Sequence, residues 1–341
     1  MVGRRARGTR LSVSKILGPI LVWDNHGCMP LRPEDSTFLP LLYSVRDAGI
    51  SIVTLNLAYG RQGAASAAAM AASFTAWIAD RADSFMLVGS AEDVRLAHCS
   101  GRLGICFDLE GMEALDGRLA NIERFYRLGV RWMLAAYNQP GIAGGGCLSE
   151  DDDKLTPFGR DAIAEMNRLG MVCCATHCGY RTAREMIDVS AHPVIFSHSN
   201  PRAVWDHPRN IPDDLMMACA RRGGVIGING FGPFLGQNDA SIETYIAHVE
   251  YALDLVGDDH VGIALDYVFD RTELDELIRT DPDAFPPAHY AEGAKMIEPW
   301  RLPAIAERLH DRGHSPQTLA KLFGGNHLRI AEQVWGKPVG R

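Results

Sequence analysis

Short apolar runs, each followed by a longer segment of helical period, recur eight times along the 341 residues. They are ILVWDNH (20–26), SIVTLNL (51–57), GICFDLE (104–110), WMLAAYN (132–138), VCCATH (172–177), VIFSH (194–198), GVIGING (224–230) and VGIALD (261–266). A run of this length without polar alternation reads as a strand buried on both faces, and parallel sheets with helices over them bury strands that way. Strand followed by helix, repeated eight times, predicts a (β/α)8 barrel. Three intervening segments show the helical signals most plainly. PEDSTFLPLLYSVRDAG carries Pro33 early and Gly49 as a stop; TPFGRDAIAEMNRLG runs from a Thr156 cap to Gly170, and SIETYIAHVEYALDLVG repeats the pattern. FMLVGS (85–90) falls between the second and third units and is expected to be part of an insertion near 84–102. Residues 267–300, containing DPDAFPPAH, are expected to form a long irregular loop, and TLAKLFGGNHLRIAEQVWG a closing helix pair. No low-complexity linker interrupts the chain. The expected organisation is a basic N-terminal tail, 1–16, and one barrel domain, 17–341.

Charge narrows the class of partner. The net charge is −8, so no basic surplus exists to neutralise phosphates, which argues against nucleic acid or an anionic membrane surface. The opening MVGRRARGTRLSVSKILGPILVWDNH imitates a signal peptide, but Pro19 interrupts its apolar part and no small-residue cleavage site follows. No apolar run is long enough to span a bilayer. Eight cysteines, with Cys173 and Cys174 adjacent and no CxxC pair, do not resemble a disulfide framework; they are expected to be buried thiols in a reducing cytoplasm. Cys28 is the exception, because it stands in a polar cluster.

The polar residues fall in a pattern. His26, Glu110, Tyr137, His177, His198 and Asp266 each lie at the C-terminal end of a different expected strand. In a barrel, that rim is where side chains from separate strands converge on the chemistry. Imidazoles and carboxylates gathered there suit zinc or a similar divalent ion, and a carboxylate bridging two ions is an arrangement found in many hydrolases. One strand-end histidine alone is more often a hydrogen-bonded structural residue; the joint placement makes a site. His98, His192, His207, His248 and His260 lie in helical or loop stretches and are expected to be structural, and Cys106, Cys173 and Cys174 to pack in the core. Asp108 and Glu110 point to the same side of one strand, and Glu110, nearer the end, is favoured for the site.

Four blocks, LTPFGRDAIAEMNRLGMVCCATH, PVIFSHSNPRAVWDHPRNIPDD, HVGIALD and GGNHLRI, together resemble the renal (membrane) dipeptidase family of zinc metallopeptidases, peptidase family M19. The resemblance runs from about Val22 to Ile330. It implies a two-zinc barrel that cleaves small dipeptides. By position it implies that His26 binds the first metal, that Glu110 bridges both, and that His177 and His198 bind the second. Asp266 would be the general base and then acid for attack by a metal-held hydroxide, and Arg209 would grip the substrate's terminal carboxylate with its planar fork. Otherwise Arg209 would be a surface ion-pair residue. Relatives of this kind often pair as homodimers, though no contact surface is legible here.

Two positions depart from the family. The family has His-x-Asp on the first strand where this chain has His26-Gly27-Cys28, and a histidine where this chain has Tyr137. Three outcomes stay open at Cys28: a thiolate zinc ligand, a bystander beside a single ion held by His177 and His198, or a small residue in a centre without metal. Tyr137 retains a donor for a substrate oxyanion. The functional expectation is a metal-dependent hydrolase of dipeptides or similar small carboxylate-bearing amides. The alternatives are a hydrolase of another small-molecule C–N bond and a metal-poor relative that binds a small molecule. The glycine-rich, then acidic loop PGIAGGGCLSEDDDK (140–154) is expected to be solvated and flexible.

Overall fold

The strand β1, Trp23–Cys28, pairs in parallel with β2, Ile52–Tyr59, starting at Trp23 opposite Ile52. From there the ladder passes to β4, Leu103–Glu110, to β5, Val130–Leu134, and to β6, Val172–Cys174, always parallel. The short β3, Phe85–Leu87, joins the beginning of β4 outside this path, at the place expected for an insertion. The computed structural model describes residues 20–336, so the expected basic tail lies outside the described residues.

The run VIFSH does not make a regular strand. It makes single bridges, Cys174 with Ile195 and Phe196 with Ile226, and these connect β6 to β7, Ile226–Ile228. The backbone bonds are nonetheless in place on both sides: Ile195 donates to the Cys173 carbonyl at 3.0 Å and Phe196 to the Val225 carbonyl at 2.9 Å. Gly227 permits the approach, since a Cβ there would lie 2.2 Å from the Ser197 carbonyl oxygen. β7 pairs with β8, Val261–Ile263. Closure onto β1 follows through Leu265 N–H donating to Asp24 Oδ1 at 2.8 Å, Asp266 N–H to the His26 carbonyl at 3.0 Å, and β9, Tyr267–Val268, which pairs with Gly27 and Cys28. The result is the (β/α)8 barrel, with the sixth stave reduced to bridges.

Two expectations need correction. The helix expected from Pro33 to Gly49 covers only Leu41–Asp47. Pro40 is its N-cap residue; its ring disfavours helical backbone at the residue before it, so the preceding residues form turns. The segment expected to be one irregular loop, 267–300, contains the helix Arg271–Thr280. Asp270 caps it, accepting from the N–H groups of Thr272 and Glu273 at 3.1 Å each, and Leu274 and Ile278 are buried beneath it. The helix Pro157–Leu169 follows the expected signals, with Thr156 capping Gly159 N–H and Gly170 in the left-handed region.

The barrel is apolar low down and polar at the rim. Trp132, Leu134, Cys174, Ile195 and Val225 form one interior cluster, and Trp23, Ile52 and Cys106 belong to another. The helix Asn326–Val334 plugs the bottom: Asn326 Nδ2 donates to the Val261 carbonyl at 2.8 Å and His327 Nε2 to that of Ile263 at 3.1 Å. Gly262 makes room, because a Cβ there would sit 2.4 Å from His327 Nε2. The polar strand-end side chains and the cavity they reach lie at the opposite, C-terminal rim. No helix of the described residues is long and apolar enough to cross a membrane.

Candidate metal centre

Glu110, the last residue of β4, sends Oε1 to within 3.4 Å of His26 Nε2 and 3.3 Å of both His177 Nε2 and His198 Nε2. That oxygen is buried and has no hydrogen-bond partner. His177 Nε2 and His198 Nε2 are themselves 3.0 Å apart, and the rings of His26 and His198 stack with centroids 4.1 Å apart. A buried carboxylate oxygen without a donor is costly, and three imidazole nitrogens crowd around it. A cation between them resolves both. A divalent metal ion therefore fits the donors present: neutral imidazole nitrogen and carboxylate oxygen.

The other ring nitrogens are secured. His26 Nδ1 meets Asp108 Oδ2 at 3.1 Å, His177 Nδ1 meets Asn138 Oδ1 at 2.7 Å, and His198 Nδ1 meets Ser197 Oγ at 2.9 Å. Asp108 thus serves His26 from one layer below Glu110, as the shared side of β4 requires. Bonds of this kind orient metal-binding imidazoles and leave Nε2 free to ligate.

The electrostatics point the same way. Burial favours neutral acids, yet the His26 and His177 imidazoles hold the Glu110 carboxyl well below the usual range. Burial also opposes charge on His26, but the Glu110 carboxylate, helped by Asp108, draws its pKa well above the ordinary value. The acids demand positive charge at this spot. His177 is pushed down to about 3 by burial and by Arg209, and His198 falls well below its ordinary value through burial and the His26 charge. Both are neutral imidazoles, the form that binds metal.

A second donor set shares His26. Cys28 Sγ lies 3.4 Å from His26 Nε2 and 3.6 Å from Asp266 Oδ1, which is itself 3.6 Å from His26 Nε2. Burial pushes the Cys28 thiol pKa up, so the group is uncharged without an adjoining cation. Asp266 accepts from Asn229 Nδ2 at 2.8 Å through Oδ2, which leaves Oδ1 facing the centre; burial raises its pKa. Both His177, φ 64°, and Asp266, φ 55°, occupy the left-handed region that side chains with a Cβ rarely adopt, and so does Asn138, φ 54°. Three of the five left-handed non-glycine residues among the described residues thus lie around this one centre, and Asn, Asp and His are the side chains that adopt that region most readily.

A cavity of about 240 Å³ opens above these residues, reached by Cys28, Glu110, Tyr137, His177 and Asp266. Its outer wall is apolar: Leu31, Val268, Leu274, Leu277, Phe285 and Tyr290. Much of that wall comes from the helix Arg271–Thr280 and the residues after it. Tyr137 lies past the end of β5 with its ring stacked on His177 at 4.2 Å. Arg209 is buried, not a surface ion-pair residue. It does not itself line the cavity; it donates from Nη2 to His177 Nε2 at 3.1 Å and holds its guanidinium carbon 5.0 Å from the centre of the Phe234 ring. Among the described residues no carboxylate pairs with it, and its Nε has no partner.

All eight residues singled out in the sequence, His26, Cys28, Glu110, Tyr137, His177, His198, Arg209 and Asp266, gather at this rim. Sequence reasoning missed Asn138, Asn229 and the wall helix. Asn229, next to last in the run GVIGING, has the same strand-end signal as the others; Asn138 had only the tolerance of asparagine for positive φ. The expected solvated loop is a further correction. Its glycine half, Ala143 to Gly146, is buried, because Gly146 packs on the Asn138 carbonyl and Cys147 N–H donates to that of His177 at 2.7 Å; the acidic half, 151–154, is exposed.

A parallel α/β barrel with a candidate nitrogen–oxygen metal centre at its C-terminal rim is the class that fold and site define. The model described as membrane dipeptidase, peptidase family M19, matches residues 45–277, and the chain belongs to that family. It is 30% identical over 238 residues to an uncharacterised dipeptidase of Schizosaccharomyces pombe, covering 68% of this chain and 53% of that protein. The chain spans about half the length of the curated relatives it matches. Among solved structures it resembles an amidohydrolase from Pseudomonas aeruginosa, with TM-score 0.84, 27% identity and coverage of 96% of this chain and 100% of that one. A metallo peptidase from Rhodobacter sphaeroides, solved with a phosphinate mimic of the dipeptide L-Ala-D-Ala, shares the fold at TM-score 0.76 and 21% identity, over 93% of this chain and 99% of that one.

Proposed function

We propose that the chain is a zinc-dependent hydrolase that cleaves dipeptides or similar small carboxylate-bearing amides. The observation that carries this reading is the partnerless Glu110 Oε1 among three imidazole Nε2 atoms. His177, His198 and Glu110 would hold one ion, and His26, Cys28 and Glu110 would hold a second. Bound zinc lowers the pKa of water towards ~7 and polarises a carbonyl.

The chain's own residues do the rest. Asp266, fixed by Asn229 through one oxygen, takes a proton at Oδ1 from the attacking water and returns it to the leaving amine. Burial supports this shuttle by raising its pKa. Once the Nε2 lone pair of His177 is committed to ligation, Arg209 Nη2 loses its present acceptor. The buried guanidinium is then left to bind a carboxylate, as the planar fork does well. Tyr137, beside His177, offers its hydroxyl to the oxyanion. The apolar wall excludes water and receives the substrate's side chain. Eight free thiols support a reducing cytoplasm as the setting.

Cys28 and Tyr137 also favour a second reading, a hydrolase of a different small amide. A screen of L,L- and L,D-dipeptides beside non-peptide amides, with metal analysis of the purified protein, tests both. Dipeptide turnover that a chelator removes and zinc restores is the expected result. Metal-dependent turnover of non-peptide amides alone would favour the second reading, and protein that takes up no metal would overturn both.

A further inference from the structure

Asn138 touches two parts of the molecule that are far apart in sequence. Its Oδ1 lies 2.7 Å from His177 Nδ1, and its Nδ2 donates to the Ala284 carbonyl at 2.9 Å and to the Tyr290 hydroxyl at 3.1 Å. Ala284 and Tyr290 belong to the segment after the helix Arg271–Thr280, and Phe285 and Tyr290 from it face the cavity. The chemistry of these contacts has one consistent solution. A backbone carbonyl only accepts, so the Asn138 amide nitrogen must face Ala284 and its oxygen must face His177. An amide oxygen only accepts, so His177 Nδ1 must carry the proton and Nε2 must carry the lone pair. The independent contact agrees, because Arg209 only donates and it points at His177 Nε2.

We infer that Asn138 is a positioning residue that couples metal binding at His177 to closure of segment 281–290 over the cavity. With the segment in place, the Ala284 carbonyl orients the amide, and the amide fixes the His177 tautomer that binds a cation. Linkage makes the effect reciprocal: a cation on Nε2 strengthens the Nδ1–H donor, holds the Asn138 oxygen, and so favours the segment in its closed position. Asn138 is well placed for this. It is fully buried, it sits at φ 54°, and Gly146 packs against its own carbonyl, so its side chain has no freedom to serve the two partners separately. Neighbouring contacts hold the same segment, with Gln139 Nε2 donating to the Asp283 carbonyl at 3.1 Å, but these do not reach the metal centre.

This inference rests on the metal reading of the site. The test is amide hydrogen exchange of segment 281–290 in chelator-stripped protein with and without added zinc, read beside zinc affinity. In the unaltered protein, zinc should slow exchange in this segment by about tenfold, within the range usual for coupled sites. Asn138→Asp keeps an acceptor for His177 and tolerates the left-handed backbone, but turns an oxygen towards the Ala284 carbonyl. It should bind zinc with affinity kept within about threefold while the slowing of exchange disappears. Asn138→Gly should lose both. A merely structural asparagine would lower affinity and protection together in Asn138→Asp, and that result overturns the coupling, as does protection that rises normally in the variant. Absence of zinc uptake by the unaltered protein overturns the metal reading and the coupling with it.

Discussion

Glu110 and Asp108 show how one strand serves the candidate metal centre at two depths. Two residues apart, they face the same side, so Glu110 reaches the converging imidazoles while Asp108 holds His26 from below. Glu110→Gln keeps the shape and removes the charge that three imidazole nitrogens face. Zinc affinity should fall by more than ~10²-fold, measured by competition with a chelating dye; unchanged affinity would remove Glu110 from the ligand set. Cys28→Ala should lower bound zinc from two ions to one, counted by elemental analysis, and a stoichiometry equal to that of the unaltered protein would make Cys28 a bystander. For Arg209→Ala, KM for carboxylate-bearing substrates should rise by an amount worth ~2–4 kcal/mol, with amides lacking the carboxylate little affected. At this scale the sequence was most readable where a polar residue ended an apolar run, as at His26, Glu110 and His198. It was least readable at Asn138, whose importance comes from two contacts made across 39 and 146 positions of sequence.

Among the elements, glycines that allow close approach separate function from stability. At Gly146 an added Cβ would meet the Asn138 carbonyl oxygen at 2.1 Å, and at Gly104 it would meet Ile52 Cδ1 at 2.5 Å and Val88 Cγ1 at 2.8 Å. Both alanine variants should cost about 1–3 kcal/mol in urea unfolding, as overpacked sites do. Only Gly146→Ala should also weaken zinc binding, because it displaces the turn that carries Asn138; equal zinc affinity in the two variants would contradict that. The elements also explain what sequence patterns left hidden. Periodicity marked the strands because both of their faces are buried, yet it overextended the helix before Asp47, where Pro40 sets the start. The wall helix Arg271–Thr280 was obscured by the prolines that follow it, although Asp270 and Glu273 carry a legible N-terminal signal.

Over the whole molecule, the division between an apolar bottom and a polar rim sets how stability responds to acid. His327, plugging the bottom, is held down to about 4 by burial, although its bond to the Ile263 carbonyl acts the other way. Its ordinary value is 6.5, so between pH 6.5 and about 4 the unfolded chain binds a proton that the folded chain refuses. Stability from this group is therefore complete above pH 6.5 and is lost as pH falls towards 4, by roughly 3 kcal/mol at most. The difference in urea unfolding free energy between the unaltered protein and His327→Gln should shrink by a few kcal/mol from pH 7 to pH 4.5; a constant difference would assign the acid loss to other groups. The barrel as a whole was legible from eight repeats of strand and helix, apart from its sixth stave, which glycine-permitted backbone approach reduces to bridges. Anomalous X-ray scattering at the zinc edge, from crystals grown with zinc, addresses the metal centre itself. Peaks should lie between Glu110 and the Nε2 atoms of His26, His177 and His198, one of them in contact with Cys28 Sγ. No peak among those four side chains would contradict a metal centre at this rim.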